Sequence, residues 1–546
     1  MKSYSYLKAG LYAVLTAIVV VALTYLGARF AGMSFLPFDL FDWLSRTLPG
    51  AVITLSIDTM VKSIHLLHLG PTASTAKLAE ESIAIVLFLI LGGLFGIVVA
   101  FFGRQRNGSI RSSGIIVGIV LWLLAIFAEV SVGFPQVQGS AILYSVLWLG
   151  LILVGWGWVL ARLLEVSLPI ETETEKSGIS RRQFLYLIGL GSVAVVVTAV
   201  GVRLLAEEQQ PAVPSTGATK PPEIPPANAS NTSGPAESPS EPTLQARFPQ
   251  VPGTRPELTS NQDFYRIDID TRPPEVDVST WRLKLSGLVN KPMALSLDEL
   301  RSRKAYSQVI TLECISNTIG GDLISTARFT GIRFKDLLEE AGLQPSAKEI
   351  AIQAVDGFYE SVTMEDAMDE RTLLVYEMNG EPLPREHGYP LRIYIPNRFG
   401  MKQPKWIDSM QVIDHPGPGY WVDRGWSATA IVKTTSVIDT IYTEGRQAGS
   451  DIVPVGGIAY AGARGISKVE VQIDNGPWQE AELRTPPLSP LTWVQWRFAW
   501  QAQPGQHQVR VRAYDGEGNL QETRETPPHP NGASGIDEQS ATVLPN

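Results

Sequence analysis

The sequence predicts three regions in series: a multi-span α-helical membrane region, a mixed α+β domain, and a C-terminal all-β sandwich of immunoglobulin-like type. Three observations carry this reading. Long apolar runs dominate up to about Leu205, and a Pro/Ser-rich stretch then separates them from an ordinary soluble pattern. After about Ala428 helical patterning gives way to short alternating runs. The overall mean hydropathy of +0.07 hides this division.

A hydrocarbon core about 30 Å thick needs roughly 20 apolar residues in helical form. Runs at about 9–28, 82–102, 114–134, 141–164 and 184–205 meet that length. Residues 48–69 are apolar but carry Asp58, Lys62, His65 and His68, and are read as an amphipathic surface helix. Glu129 falls within the third span, where a carboxylate is costly, and is expected to pair near the interface. Lys2, Lys8, Arg104, Arg106, Arg111, Arg162, Arg181 and Arg182 mark one side of the membrane as cytoplasmic, because short cytoplasmic loops are enriched in Lys and Arg. The first loop carries Arg29, Arg46, Lys62 and Lys77, but it is long and acidic neighbours accompany them. Five spans starting inside place the remainder of the chain on the extracytoplasmic side.

Ser180–Leu185 (SRRQFL), just ahead of the fifth span, resembles a twin-arginine export signal. The stretch from Pro211 to Pro242 has almost no large apolar residues and is expected to be an extended tether that lifts the following domain off the bilayer. The expected organisation is thus a membrane region at 1–206, a linker at 207–246, a mixed α+β domain at 247–427 and an immunoglobulin-like domain at 428–546.

Within 247–427, the alternation of Trp281–Val289 predicts a strand and Ser296 a helix cap. Val309–Leu312 predicts a strand that delivers Cys314 at its end, and Arg333–Ala341 a short amphipathic helix stopped by Gly342. Lys348–Val355 and Leu391–Ile395 read as further strands. Beyond 428, Val469, Val471 and Ile473 alternate into Asn475-Gly476, a hairpin signal; similar sets lie at Val494–Phe498 and Val509–Ala513.

A formal charge of −9 with no Lys/Arg block gives no footprint for nucleic acid. One cysteine excludes an internal disulfide and a Cys-rich zinc site, and no Cys-x-x-Cys-His haem motif is present.

Thr311–Asn317 (TLECISN), Gly320–Gly331 (GGDLISTARFTG), Tyr376–Gly388 (YEMNGEPLPREHG), Pro390–Pro396 (PLRIYIP), Gly400–Lys402 and Lys405-Trp406 occur in order, and together they resemble the sulfite-oxidase-type molybdopterin enzymes. The resemblance covers about 255–427. It implies an α+β sulfite-oxidase-like molybdopterin domain, with molybdenum bound by the pterin dithiolene and the Cys314 thiolate. It also implies that Tyr265 and Arg266 meet the cofactor near its entry, that His387 and Arg392 hold its pterin edge and phosphate, and that Gln403 and Lys405 close over it. Tyr359 is placed beside the metal and Lys402 at the pocket mouth, as catalytic residues.

The chain departs from the family at Ile315–Ile319, where sulfite oxidases carry guanidinium groups, at Lys402, where they usually have arginine, and at Asp268, where a histidine is common. These departures weigh against a sulfite dianion as substrate. The expected activity is two-electron oxygen-atom transfer on a small oxyanion or sulfur compound, with electrons exchanged with a separate cytochrome or quinone-linked carrier. A sulfoxide-type reductase drawing electrons from the membrane and a cofactor-free membrane-tethered binding protein are the alternatives, and a homodimer through the C-terminal domain is open.

Overall fold

A computed structural model describes residues 6–67, 69–105, 110–133, 141–167, 248–444 and 452–545. The fifth span, the twin-arginine-like motif and the Pro/Ser-rich linker lie outside the described residues. The first part is a helical bundle of α1 (Tyr6–Ala31), α2 (Leu36–Thr47), α3 (Gly50–Leu67), α4 (Thr72–Gln105), α5 (Ile110–Val132) and α6 (Ala141–Ser167). Four of these, α1, α4, α5 and α6, are long and apolar enough to cross a membrane. They correspond to the first four expected spans.

Lipid gives helices no hydrophobic reason to associate, so close approach of small side chains has to hold them. Ala9, Ala13 and Ala17 of α1 are fully buried against α4. A Cβ at Gly92 of α4 would stand 2.8 Å from that of Ala17, and one at Gly118 of α5 only 2.7 Å from the Leu153 carbonyl oxygen of α6. Trp156 of α6 donates to Thr16 of α1 (2.8 Å).

At 1.5 Å per residue the 34 residues of α4 reach about 50 Å, well beyond a hydrocarbon core. Its first turns, with Thr72, Lys77 and Glu80, therefore project past the apolar span expected from sequence. The expected surface helix is α3. Helix α2 was not anticipated: Pro37 opens it, and Asp39 and Asp42 are buried in it. Glu129 is buried too, and the neighbour it meets is another acid, Asp39.

Asp42 and Arg46 of α2 find partners in the following domain. Asp42 Oδ1 accepts from the backbone N–H of Thr271 (2.9 Å) and from its hydroxyl (2.5 Å). Arg46 pairs with Asp270 and donates to the carbonyl oxygens of Asp356 (2.7 Å) and Val132 (3.3 Å). From α4, the Thr72 N–H donates to Asp322 (2.8 Å) and Lys77 to the Asp270 carbonyl (2.7 Å). The domain is seated on α2 and on the start of α4. This corrects the expectation of a domain lifted off the bilayer: that expectation came from the linker's composition alone, whereas the seating depends on polar pairs at least 193 residues apart.

The domain contains β1 (Leu283–Gly287), β2 (Met293–Leu295), α7 (Leu297–Arg301), β3 (Tyr306–Glu313), β4 (Ile324–Arg333), α8 (Phe334–Ala341), β5 (Glu349–Ala354), β6 (Tyr359–Thr363), α9 (Met364–Met368), β7 (Leu373–Met378), β8 (Glu381–Pro382), β9 (Arg392–Tyr394) and β10 (Ile407–Ile413). One sheet has the order β2-β1-β10-β5-β6, parallel only between β1 and β10. The other runs β3-β4-β7-β8, with β9 also on β7. Ser296 caps α7 through a reciprocal capping box with Glu299, as its sequence position predicts. The main core packs Leu283, Leu285, Ile350, Ile352 and Val412 of the first sheet on Phe334, Leu337 and Leu338 of α8.

The last region holds β11 (Thr435–Ile441), β12 (Ile452–Tyr460), β13 (Ile466–Ile473), β14 (Gln479–Glu480), β15 (Glu482–Leu483), β16 (Val494–Gln501), β17 (Gly505–Asp515) and β18 (Asp537–Val543). They form two four-stranded antiparallel sheets, β11-β12-β16-β15 and β14-β13-β17-β18, around a shared core that includes Val455, Val471, Trp496 and Val511. The predicted hairpin joins β13 to β14, with Asp474 at φ 54° just ahead of Asn475-Gly476. This region also braces β3: the Tyr460 hydroxyl donates to the Thr311 carbonyl (2.9 Å), and the Trp493 N–H to the Thr311 hydroxyl (2.9 Å).

Removing one partner of a buried ion pair leaves the other charge uncompensated, at a cost of about 3–5 kcal/mol. Arg46→Ala strands Asp270, whose side chain is only 2% exposed. Its expected effect is a thermal unfolding midpoint several degrees below that of the full-length protein, with faster proteolysis around α2 and α3; an unchanged midpoint would show that this seating contributes little.

Candidate active site

Strand β3 ends at Glu313, and the chain turns at once. The Cys314 N–H donates to the Leu323 carbonyl (2.9 Å), and the Asn317 N–H returns to Cys314 O (3.0 Å). This turn leaves the thiol in the wall of a cavity of about 410 Å³, with Ser316 Oγ 3.0 Å away. Burial pushes the thiol pKa up, so without a metal it is a thiol, and metal binding must displace a proton.

Tyr265, Arg266, His387, Arg392, Gln403 and Lys405 line the same cavity. Sequence reasoning had drawn them from separated motifs, and the fold brings all six together with Cys314. The Tyr265 N–H is fixed by Ser325 Oγ (3.0 Å) and its ring stacks on Phe264. Burial raises its phenol pKa. His387 closes a short 3₁₀ turn; its Nε2 lies 2.9 Å from the Asn261 carbonyl, so Nε2 carries the proton and Nδ1 is left as an acceptor. Burial, with Lys405 nearby, pushes His387 down to about 3, so it is neutral at physiological pH. Arg392 enters from β9, is 6% exposed, and donates from Nη1 to the His387 carbonyl (3.2 Å). Its desolvation lowers it to about 10, which still leaves it charged.

Asp268 organises the cationic side. One carboxylate oxygen takes Arg266 and the other Lys405. Burial works to raise its pKa, but the two cations outweigh that and hold the carboxyl well below its usual range. Burial pulls Lys405 down to about 8 against the opposing pull of Asp268. The residue noted in the sequence only as a departure from the family pattern is thus the anion that seats two cofactor-side cations.

Two expected catalytic side chains are elsewhere. Tyr359 begins β6 and its hydroxyl donates to Asp423 (2.8 Å), outside the cavity lining. Alternation along β6 turns Glu360 inward instead, and Lys402 is consumed neutralising it (2.7 Å) while donating to the Ser361 carbonyl (3.3 Å). Lys402 is therefore a buried structural cation and not a residue of the pocket mouth. In their place stands an aromatic wall that sequence reasoning missed: Phe358, Tyr420, Trp421 and Trp426. The cluster Tyr420-Trp421 with Trp426 was the available signal. The opposite wall, also unanticipated, comes from α2, α3 and the start of α4.

The family model for an oxidoreductase molybdopterin binding domain matches residues 270–421. The chain is 31% identical over 177 residues to the uncharacterized oxidoreductase YuiH of Bacillus subtilis, covering 32% of this chain and 86% of that protein. It is 29% identical over 296 residues to the mitochondrial sulfite oxidase of Homo sapiens, covering 45% of this chain and 54% of that one. A putative protein-methionine-sulfoxide reductase subunit, YedZ1, of Azospira oryzae is 32% identical over 158 residues, covering 29% and 58% respectively. The chain thus spans about half the length of the mammalian mitochondrial sulfite oxidases it matches. Fold and site define a molybdopterin-binding oxidoreductase domain. The chain belongs to the sulfite-oxidase-type family of molybdopterin-dependent oxidoreductases, whose cofactor is molybdenum–molybdopterin.

The residues present fit such a group. Arg392 Nε, Arg266 Nη2 and Gln403 Oε1 are buried without hydrogen-bond partners, and each is a donor or acceptor on a cavity-lining side chain. Groups left this way are costly unless something pairs with them. A pterin edge and a phosphate supply the matching acceptors and donors.

Asp356 supplies a pH test of this buried polar environment. Burial, and then the nearby Asp270, raises its pKa from 3.8 to about 7. The folded state therefore binds more protons than the unfolded state between those values, and stability falls as pH rises through that window. At 1.36 kcal/mol per unit the charged form costs roughly 4 kcal/mol at pH 8. Asp356→Asn is expected to raise the thermal midpoint at pH 8 and to change it little near pH 4; equal shifts at both pH values would contradict the assignment.

Proposed function

We propose that this protein is a membrane-anchored enzyme that performs two-electron oxygen-atom transfer on a small oxyanion or sulfur compound on the extracytoplasmic side, and exchanges the electrons with a separate carrier. The observation that carries the reading is the convergence of Cys314 and six cofactor-type side chains on one cavity in which several buried polar atoms await partners. The cofactor supplies the two-electron redox chemistry when bound.

The chain's own residues hold and isolate it. Cys314 is the protein ligand, a soft thiolate for a redox-active metal. His387 offers Nδ1 to a pterin N–H and is kept neutral for that purpose by burial. Arg392 and Arg266 meet the anionic tail, with Lys405 held in register by Asp268. Phe358, Tyr420, Trp421 and Trp426 exclude water from the reacting side. The two-sheet unit at 428–546 is read as immunoglobulin-like, bracing the strand that carries the ligand. Arg111 at the start of α5 and Arg162 near the end of α6 lie at the bundle end opposite the seated domain, which supports the extracytoplasmic placement.

A reductive direction, with a sulfoxide as oxygen donor, is supported by the likeness to the protein-methionine-sulfoxide reductase subunit and by the absence of guanidinium groups at Ile315–Ile319.

The test is metal and pterin analysis of the full-length protein produced in a host that makes molybdopterin. Near-stoichiometric molybdenum is expected, falling at least tenfold, with at least a thousandfold loss of turnover, in Cys314→Ser. Folded wild-type protein without molybdenum or pterin would overturn the proposal and leave a tethered binding protein.

A further inference from the structure

Away from its cationic end the cavity changes character. One wall is aromatic, with Tyr420 in ring contact with both Phe358 (5.5 Å) and Trp421 (5.2 Å). The same cavity is lined by aliphatic side chains of the membrane region, Leu48 after α2 and Ile53, Ile57 and Met60 of α3. Trp426 also lines the cavity; it is 5% exposed, and its indole N–H has no acceptor.

Helix α3 is amphipathic on its exposed side as well. Val52, Leu55 and Leu67 are 44%, 67% and 62% exposed, beside exposed Thr59, Lys62 and Ser63, while Val61 and Ile64 pack inward. An exposed face that mixes leucines with hydroxyls and a lysine suits a helix lying in the membrane interface. Among the described residues, α3 carries both cavity-lining side chains and this exposed face. The chain's single cysteine cannot supply a thioether-linked haem or an iron–sulfur cluster to carry electrons onward.

We propose that the apolar end of the cavity binds a lipophilic quinone drawn from the bilayer, and that this quinone is the electron carrier of the reaction. The inference rests on the oxygen-atom-transfer reading above and names its redox partner. The balance closes: a substrate X with water gives XO, two protons and two electrons, and a quinone takes up both protons and both electrons as two O–H bonds form. In the reductive direction, XO and quinol give X, water and quinone. The flat ring stacks on the aromatic wall, the Trp426 N–H donates to a quinone carbonyl, and the isoprenoid tail leaves past Ile57 and Met60. Substrate and quinone take turns at one cavity, so ping-pong kinetics are expected.

The experiment uses the full-length, molybdenum-loaded protein in lipid nanodiscs, with decylubiquinone titrated by calorimetry and an azido-ubiquinone for photolabelling. Labelling is expected on residues 48–60 and 420–426. Ile57→Trp, which fills the annex, should weaken decylubiquinone binding at least tenfold. Leu55→Trp, on the exposed face of α3, should not, and retained molybdenum in both variants controls for folding. Labelling confined to other segments, or equal affinity in both variants, overturns the proposal. So does displacement of the label by a water-soluble sulfoxide with no saturable quinone binding, since the annex would then be a substrate pocket. Saturable quinone binding at these segments in protein that carries no molybdenum would instead leave the annex standing and sink the oxygen-transfer reading.

Discussion

The pairing of Arg46 with Asp270 is the constraint on which the rest of this structure depends. It ties the short helix α2 to the domain, and the same guanidinium also reaches the Asp356 carbonyl and the end of α5. Because Asp42 holds Thr271 one residue further on, the segment leading out of Tyr265–Asp268 is fixed from the membrane side. The cofactor cavity is consequently a joint product of two regions, with its floor in the β-rich domain and one wall in the helical bundle.

Within the cavity the electrostatics follow from one residue. Four cationic side chains, Lys77, Arg266, Arg392 and Lys405, line it, and a cluster of that kind would repel itself in a low-dielectric setting. Asp268 pairs with two of them and so offsets one unit of charge, and Lys77 is occupied by Glu80 and the Asp270 carbonyl. The charge left over suits an anionic cofactor tail. The rest of the lining is largely aromatic and aliphatic, with Ser45, Ser56, Thr72, Glu80, Ser316 and Asp356 among it.

Much of this was legible in the sequence. Spans of the right length appeared as helices α1, α4, α5 and α6 because hydrophobicity over some twenty residues is a local property. The strand ending at Cys314, the Ser296 capping box and the Asn475-Gly476 hairpin rest on local chemistry as well. The residues around the cofactor were found through ordered motifs, and the fold gathers them. Failures arose where partners are distant. Arg46 and Lys77 read as loop charges because Asp270 lies about 200 residues away. Tyr359 and Lys402 were placed by their position in a motif, whereas the side on which β6 presents Glu360 decides where both go. Helix α2 escaped notice since its acids look wrong for a buried helix until Thr271 is seen to meet one of them.

The central claim is that membrane helices form one wall of the molybdenum site. The single native cysteine offers a direct test, because Cys314 is protected when it ligates the metal and Ser56→Cys on the cavity side of α3 can then be spin-labelled alone. With the metal poised as paramagnetic Mo(V), strong dipolar broadening of the nitroxide, abolished when the metal is removed, is the result predicted. An unbroadened label in the loaded protein would mean that the domain stands off the bilayer and that α3 is no part of the site.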